Sequence, residues 1–450
     1  MIEMKMDTTS PTPAPPAHPT FLQALLVWVK IGLLSFGGPA GQIALMHREL
    51  VDRRKWVSDK RFLHALNYCM LLPGPEAQQL AVYTGWLLHG VRGGLVAGAL
   101  FVLPGALFML GISVAYMMFG QVPWFEAIFY GLKAAVMAIV AAAVWRIGGK
   151  VLKNPVMWAI AAVSFIAIFQ FGVPFPLIII SALVLGLTLG RRFPQYFKTG
   201  GGHGAAAETT AHYVISDSVP DRIGIPTLGR TLLKTAFWLV LWILPVVFCL
   251  GLLGRGHVLT EEGLFFGKAA MVTFGGAYAV LPYVAQQAVE VQGWLSATQM
   301  MDGLGLAETT PGPLILVLQF VGFVGGWNDP GGLSPLAMAA LASGMTTWVT
   351  FIPGYLFIFV GAPFMERSRG NLSFETALSA VTAAVAGVIL NLAVWFSWHV
   401  IRPEPGAFDW VPLALGAVFL FLLRKMKWDV LTVVGLGAAV GLALHLAGVR

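Results

Sequence analysis

The segment "MLLPGPEAQQL" (70–80) begins as an apolar run fit for lipid and then breaks, with two prolines around a glycine and Glu76, Gln78 and Gln79 close behind. The same break returns in "TTPGPLILVLQ" (309–319), where Pro311-Gly312-Pro313 matches Pro73-Gly74-Pro75. A break frees backbone N–H and C=O groups that hydrocarbon cannot satisfy, so it persists only inside protein or beside a cavity. A chain that breaks twice in one way must bury both places.

The lipid setting follows from composition. The chain is 57% hydrophobic and 11% charged, against about 25% charged in soluble domains. Runs such as "TAFWLVLWILPVVFCLGLLG" (235–254) reach the roughly 20 apolar residues that a spanning helix needs. An all-α polytopic membrane protein is predicted. The net charge of +7 sits in basic residues beside apolar segments, as the positive-inside rule requires, so no nucleic-acid partner is expected. Cys69 and Cys249 lie in apolar stretches and offer no disulfide framework. The sequence has no P-loop, GxSxG or HExxH pattern, which predicts no ATP hydrolysis, no nucleophilic catalysis, no metal and no cofactor.

The two breaks belong to a longer repeat. "KIGLLSFGG" (30–38) aligns with "KAAMVTFGG" (268–276), pairing Lys30 with Lys268 and Ser35 with Thr273. Trp56 falls on Trp294 and Ser58 on Ser296; after an eleven-residue insertion around "WNDPGG", "LPGALF" (103–108) falls on "IPGYLF" (352–357). The predicted organisation is a disordered Pro-rich tail over 1–19, one unit over 20–191, a polar linker over 192–231, an extra transmembrane helix over 232–257 and a second unit over 258–450. A single helix between two even-crossing units turns the second upside down. The charges agree, because "DRRKWVSDKR" (52–61) carries five basic residues and its match "EVQGWLSATQ" (290–299) none. Two inverted-topology repeats with broken, re-entrant helices are expected, with substrate held near the midplane where they meet. Basic residues on both sides of 62–90 predict a hairpin of two short helices there. Parity asks for a second hairpin over about 21–50, leaving nine full crossings.

Pro39, Pro75 and Pro313 suit the first position of a helix, where no N–H is lost. A helix N-terminus inside the membrane offers unpaired donors and about half a positive charge, a natural anion site. Gly37, Gly38, Gly74, Gly275, Gly276 and Gly312 would let backbone approach a ligand, the plainer alternative being kinks that shape packing. Lys30 and Lys268 would match a dianion, unless Lys30 snorkels to the interface. Lys133 is a weaker candidate, its repeat partner being Thr382. Ser35, Gln42, Asn67, Gln78 and Gln79 in the first unit, with Thr273, Thr309 and Thr310 in the second, would supply neutral hydrogen bonds to substrate or to freed backbone. Glu76 and Glu308 are candidates for proton coupling, since a carboxylate beside an anion favours its neutral form; their alternative role is to tie a broken helix together.

"FGGPAGQIALMHRE" (36–49), "LLPGPEAQQLAVYTGW" (71–86), "VTFGGAYAVLPYVAQQAV" (272–289) and "ETTPGPLILVLQFVGF" (308–323) together resemble the chromate ion transporter family, in its order and over most of the chain. The resemblance implies a multi-pass inner-membrane protein of two oppositely oriented halves that expels chromate, confers resistance and exchanges it for protons. It also implies that Phe36, Gly37, Gly38, Pro39, Pro73, Gly74, Pro75 and Glu76 are signature positions. The partners expected are chromate or a sulfate-like oxyanion, protons, the lipid bilayer and a second copy in a homodimer. The competing readings are a carrier of sulfate or another oxyanion, a membrane-embedded enzyme acting on lipid, and a passive channel.

Overall fold

A computed structural model describes residues 17–120, 122–197, 213–216, 227–274, 276–366, 375–402 and 408–448, and these are almost entirely helical, with no strand among them. The first unit runs α1 (Phe21–Leu34), α2 (Gly38–His47), a π-helical turn (Arg48–Arg53), α3 (Asp59–Leu71), α4 (Glu76–Phe119), α5 (Pro123–Val151), α6 (Pro155–Phe171) and α7 (Phe175–Arg192). A short α8 (Pro194–Phe197) and the long α9 (Leu228–Leu253) follow. The order then recurs as α10 (Val258–Val272), α11 (Ala277–Ala285), a π-helical turn (Gln286–Val291) and α12 (Ala297–Thr309). A 3-10 turn (Leu314–Leu316), α13 (Val317–Asn328), α14 (Pro335–Met365), α15 (Glu375–Ile401), α16 (Trp410–Arg424) and α17 (Val430–Leu446) complete it.

Local chemistry explains why the bounds repeat. Ser58 and Ser296 each accept from an amide three residues on, Arg61 N and Gln299 N, and so start α3 and α12 at matched positions. Five helices, in α4, α5, α9, α14 and α15, are long and apolar enough to cross a membrane among the described residues. The helix with no counterpart, α9, is largely exposed and lays Trp238 on Tyr355 and Phe359 of α14.

Two helical hairpins open the first unit. Ser35 and Gly37 leave the helical region between α1 and α2, and Lys30 Nζ then meets Glu49 Oε1 at 2.9 Å. Nineteen residues of straight helix would separate that pair by about 28 Å, so α2 returns along α1. Within α4, His89 (φ −134°, ψ 26°) and Gly90 (φ 62°, ψ −153°) are non-helical, and beyond them the chain doubles back until Gly93 and Ala97 touch Gly85. Before that reversal α3 and the start of α4 already lie together, with the Tyr68 and Tyr83 rings 6.0 Å apart and Arg61 and Tyr83 both bonding Glu366, so residues 59–88 form the second hairpin. In the second unit the corresponding turn is the longer loop 329–334 between α13 and α14.

Each Pro-Gly-Pro break is stitched to the Phe-Gly-Gly break of the other unit. Gly74 N donates to the Thr273 carbonyl at 2.8 Å, and Gly312 N to the Ser35 carbonyl at 2.7 Å. Contacts in which i meets j and j meets i are what a two-fold axis produces. The Ser35 and Thr273 hydroxyls turn back on the carbonyls of Ile31 and Ala269, both at 2.6 Å. Glutamine amides take two further carbonyls at the breaks, Gln79 Nε2 reaching Pro73 at 2.7 Å and Gln42 Nε2 reaching Gly312 at 2.6 Å, while Gln319 Nε2 ties α13 to α4 through the Ala106 carbonyl at 2.8 Å. Pro39 and Pro75 stand at helix starts, whereas Pro313 is followed by the 3-10 turn before α13 begins.

Most of the Pro-rich tail over 1–19 and of the polar linker over 192–231 lies outside the described residues. Four linker residues, 213–216, run beside the basic loop, with Ile215 N on the Trp56 carbonyl at 2.9 Å and Ser58 N on the Ile215 carbonyl at 3.0 Å. Gly312 (φ 95°) lies against Gly105, so Gly312→Ala should destabilise the protein by about 1–3 kcal/mol, read as a lower midpoint for thermal unfolding in detergent. Lys55→Cys and Arg92→Cys, on either side of the second hairpin, should react with an impermeant thiol reagent from the same face of sealed vesicles.

Candidate functional site

The first hairpin aims a helix N-terminus at a cavity. α2 starts at Gly38, its N-cap Gly37 offers no side-chain capping bond, and Pro39 stands in its first turn. The leading amides of a helix have no partner within it, so those of α2 that carry hydrogens face outward. Gly37 (φ 83°) and Gly38 (φ 71°) hold left-handed backbone, and a Cβ on either would project into open space. Backbone conformation and access, rather than crowding, ask for glycine here.

That space is a cavity of about 280 Å³ lined by Gly37 and Gly38, by Trp145 and Arg146 of α5, by Tyr278 and Glu308, and by Arg424 and Trp428 at the end of α16. Trp145, Arg146 and Arg424 are exposed, so the cavity widens toward the basic end of α5 and α16. Glu308 is 5% exposed and, with the glycines, forms the closed end. The Arg424 guanidinium lies over the Trp145 ring, 3.7 Å from its centroid. The Tyr278 hydroxyl donates to Glu308 Oε1. Two guanidiniums and an uncapped helix N-terminus line one cavity, an arrangement suited to an oxyanion.

The mirror-related helix start is different. Gly276 (φ 95°) is the N-cap of α11, and the Glu76 carboxylate lies 3.7 Å from where its Cβ would be. One of the two N-termini thus opens on a cavity, and the other has a protein carboxylate beside it.

Of the residues singled out from sequence, Gly37, Gly38 and Glu308 line the cavity. Ser35, Thr273, Gly74, Gly312, Gln42 and Gln79 serve the broken backbone, as described above. Thr309 and Thr310 donate to the Leu306 carbonyl at 2.7 Å each. Gln78 is buried against Gly354, and Asn67 is half-buried in α3. Lys268 is exposed on α10, and Gly275 lies outside the described residues. Lys30 sits at a second cavity, of about 600 Å³, with His18, Arg54 and Trp56. Sequence reading missed Arg146, Arg424 and Tyr278 as site residues. The two arginines read as ordinary positive-inside markers at helix ends, and nothing local shows that α5 and α16 set them side by side.

Lys30 is already matched. Glu49, wholly buried, takes Lys30 at 2.9 Å and Arg53 at 2.8 Å, and also bonds Arg54. Burial by itself would raise its carboxyl, but the hydrogen bond from Lys30 and the charge of Arg54 outweigh that and hold it below the usual carboxylate range.

A helical membrane protein of two like units, meeting beside a cation-lined cavity, has the architecture of a transporter. The chain belongs to the chromate transporter family: the sequence profile described as "Chromate transporter" matches residues 22–187 and again 261–442. It is 32% identical over 387 residues (85% of this chain, 82% of the relative) to the chromate transport protein of Pseudomonas aeruginosa. It is 28% identical over 429 residues (95% and 94%) to that of Cupriavidus metallidurans. Against the probable chromate transport protein of Synechococcus elongatus it is 28% identical over 380 residues (84% and 85%). No solved structure matches the chain.

Because the Glu49 carboxyl is lowered by folding, the stability it contributes is full above its unfolded value near 4.5 and is lost as pH falls through the folded value. Glu49→Gln should therefore lower the unfolding midpoint at pH 7 by the equivalent of about 3 kcal/mol and flatten the acid limb of the stability profile.

Proposed function

We propose that this protein is a secondary active transporter that exports chromate across the cell's inner membrane and so confers chromate resistance. The observation that carries the reading is the cavity where the α2 N-terminus faces Arg146 and Arg424. Chromate is a tetrahedral dianion. Two guanidiniums match its charge and the α2 amides supply further donors. The cavity opens at the end of the molecule that the positive-inside rule assigns to the cytoplasm, as an exporter waiting for cargo requires.

Export is favoured electrically. With the inside negative, each charge gains about 2.3 kcal/mol per 100 mV, or roughly 4.6 kcal/mol for a dianion. The family membership and the reciprocal bonds at the two breaks support a pair of oppositely oriented transport units over 20–191 and 258–450, joined by the linker and α9. Rocking of one unit against the other would open the site alternately to each side. Glu308, at the closed end of the cavity, and Glu76, beside the α11 N-terminus, are placed to carry protons inward as the emptied protein resets. Sulfate has the same shape and charge and meets the same donors.

The test is chromate uptake into everted vesicles. Arg146→Gln and Arg424→Gln should each lower uptake at sub-saturating chromate by about tenfold, the effect of ~1.4 kcal/mol, whereas Lys268→Ala stays near wild type. Glu308→Gln should abolish the response to a pH gradient imposed at fixed potential. Unaltered uptake in both arginine variants would refute the assignment of the cavity, and complete suppression by equimolar sulfate would make sulfate the cargo.

A further inference from the structure

A second ionisable cluster lies deeper in the protein on α5 and α12, two of the helices that line the cavity. Asp302 of α12 is 3% exposed. Its Oδ2 accepts from the Tyr116 hydroxyl of α4 at 2.8 Å, and its Oδ1, buried and without a hydrogen-bond partner, faces Lys133 Nζ of α5 at 3.7 Å. The pair joins the first unit to the second. Glu308 lies six residues further along α12, about 9 Å. Gly305, between them, packs on Leu132 and Val136 of α5, so the two helices run side by side over this stretch. Along the seam stand Glu126 near the start of α5, then Lys133 with Asp302, then Glu308 with Arg146 where the cavity begins. Among the described residues, the other ionisable groups facing Asp302 are Tyr116 from α4 and the more distant Glu126 carboxylate; α13 presents the Phe320 ring, beside Gly303.

Breaking a buried pair leaves an uncompensated charge, which is strongly unfavourable, so any movement between the units at this seam must neutralise Asp302. We propose that Asp302 is a further proton-carrying carboxylate of the transport cycle, in relay with Glu308, with Lys133 as the counter-charge it regains on release. The carboxylate takes a proton from the Glu126 end when the units part there. It gives the proton up toward Glu308 and the cavity when they close and the Lys133 pair reforms. Only one unit carries this device, since the repeat partners of Asp302 and Lys133 are His64 and Thr382.

The inference rests on the proton-coupled reading above and is tested with the purified full chain in proteoliposomes. Two fluxes are compared: chromate–chromate exchange, which needs no net proton movement, and net chromate flux driven by a pH gradient at clamped potential. Asp302→Asn should keep exchange within about twofold of wild type while gradient-driven flux falls about tenfold or more, and Asp302→Glu should restore the driven flux. Should the single variant fail to assemble, Lys133→Gln/Asp302→Asn, which leaves no unpaired charge, should show the same split. Full gradient response in either neutral variant overturns the proposal, as does parallel loss of both fluxes in the double variant. A wild type indifferent to the gradient overturns proton coupling itself, and is recognised before any variant is made.

Discussion

The structure depends on one electrostatic demand, that a backbone amide or carbonyl released in a low-dielectric interior must find a partner in protein. Four breaks at "FGG" and "PGP" release many such groups close together. The two units answer by exchange, the glycine amide of each Pro-Gly-Pro bonding the carbonyl before the other's Phe-Gly-Gly. Side-chain amides of Gln42 and Gln79 take two more of the carbonyls at the breaks. With those demands met by the protein itself, the α2 N-terminus is the broken end that faces the cavity.

Duplication supplies two helix starts of the same form, and divergence has treated them differently. Arg146 corresponds to Trp395, Glu308 to Met70 and Glu76 to Leu314. Charged groups in the cavity have no charged counterparts in the mirror position, where Glu76 lies beside the α11 start. The Glu76 carboxyl group stands at that helix start, 3.7 Å from where a Gly276 Cβ would be, so that end is already occupied by a side chain of the protein. The asymmetry leaves one vacancy for a guest where strict symmetry would leave two.

Much of this could be read from the letters. The low charge and long apolar runs announced an all-α membrane protein, and five described helices are long and apolar enough to cross a bilayer. The proline and glycine positions marked where helices start, because their backbone limits are properties of single residues. The functional charges were harder. Lys30 and Lys268 attracted notice as lysines in apolar runs, yet Lys30 is held by Glu49, nineteen positions away, across a hairpin whose direction the sequence leaves open. Arg146 and Arg424 meet only because α5 and α16 pack together, and Asp302 in "ATQMMDGL" looks like a solvent-facing residue until Lys133 is seen opposite. Contacts between distant elements carry no local pattern.

The reciprocal stitching also bears on how such a protein could have begun. A unit standing alone would leave the Gly74 amide and the Ser35 carbonyl without these partners. An ancestor half this long would regain them by embracing a twin. Fusing the pair into one polypeptide fixed that partnership at one-to-one and left the halves free to specialise.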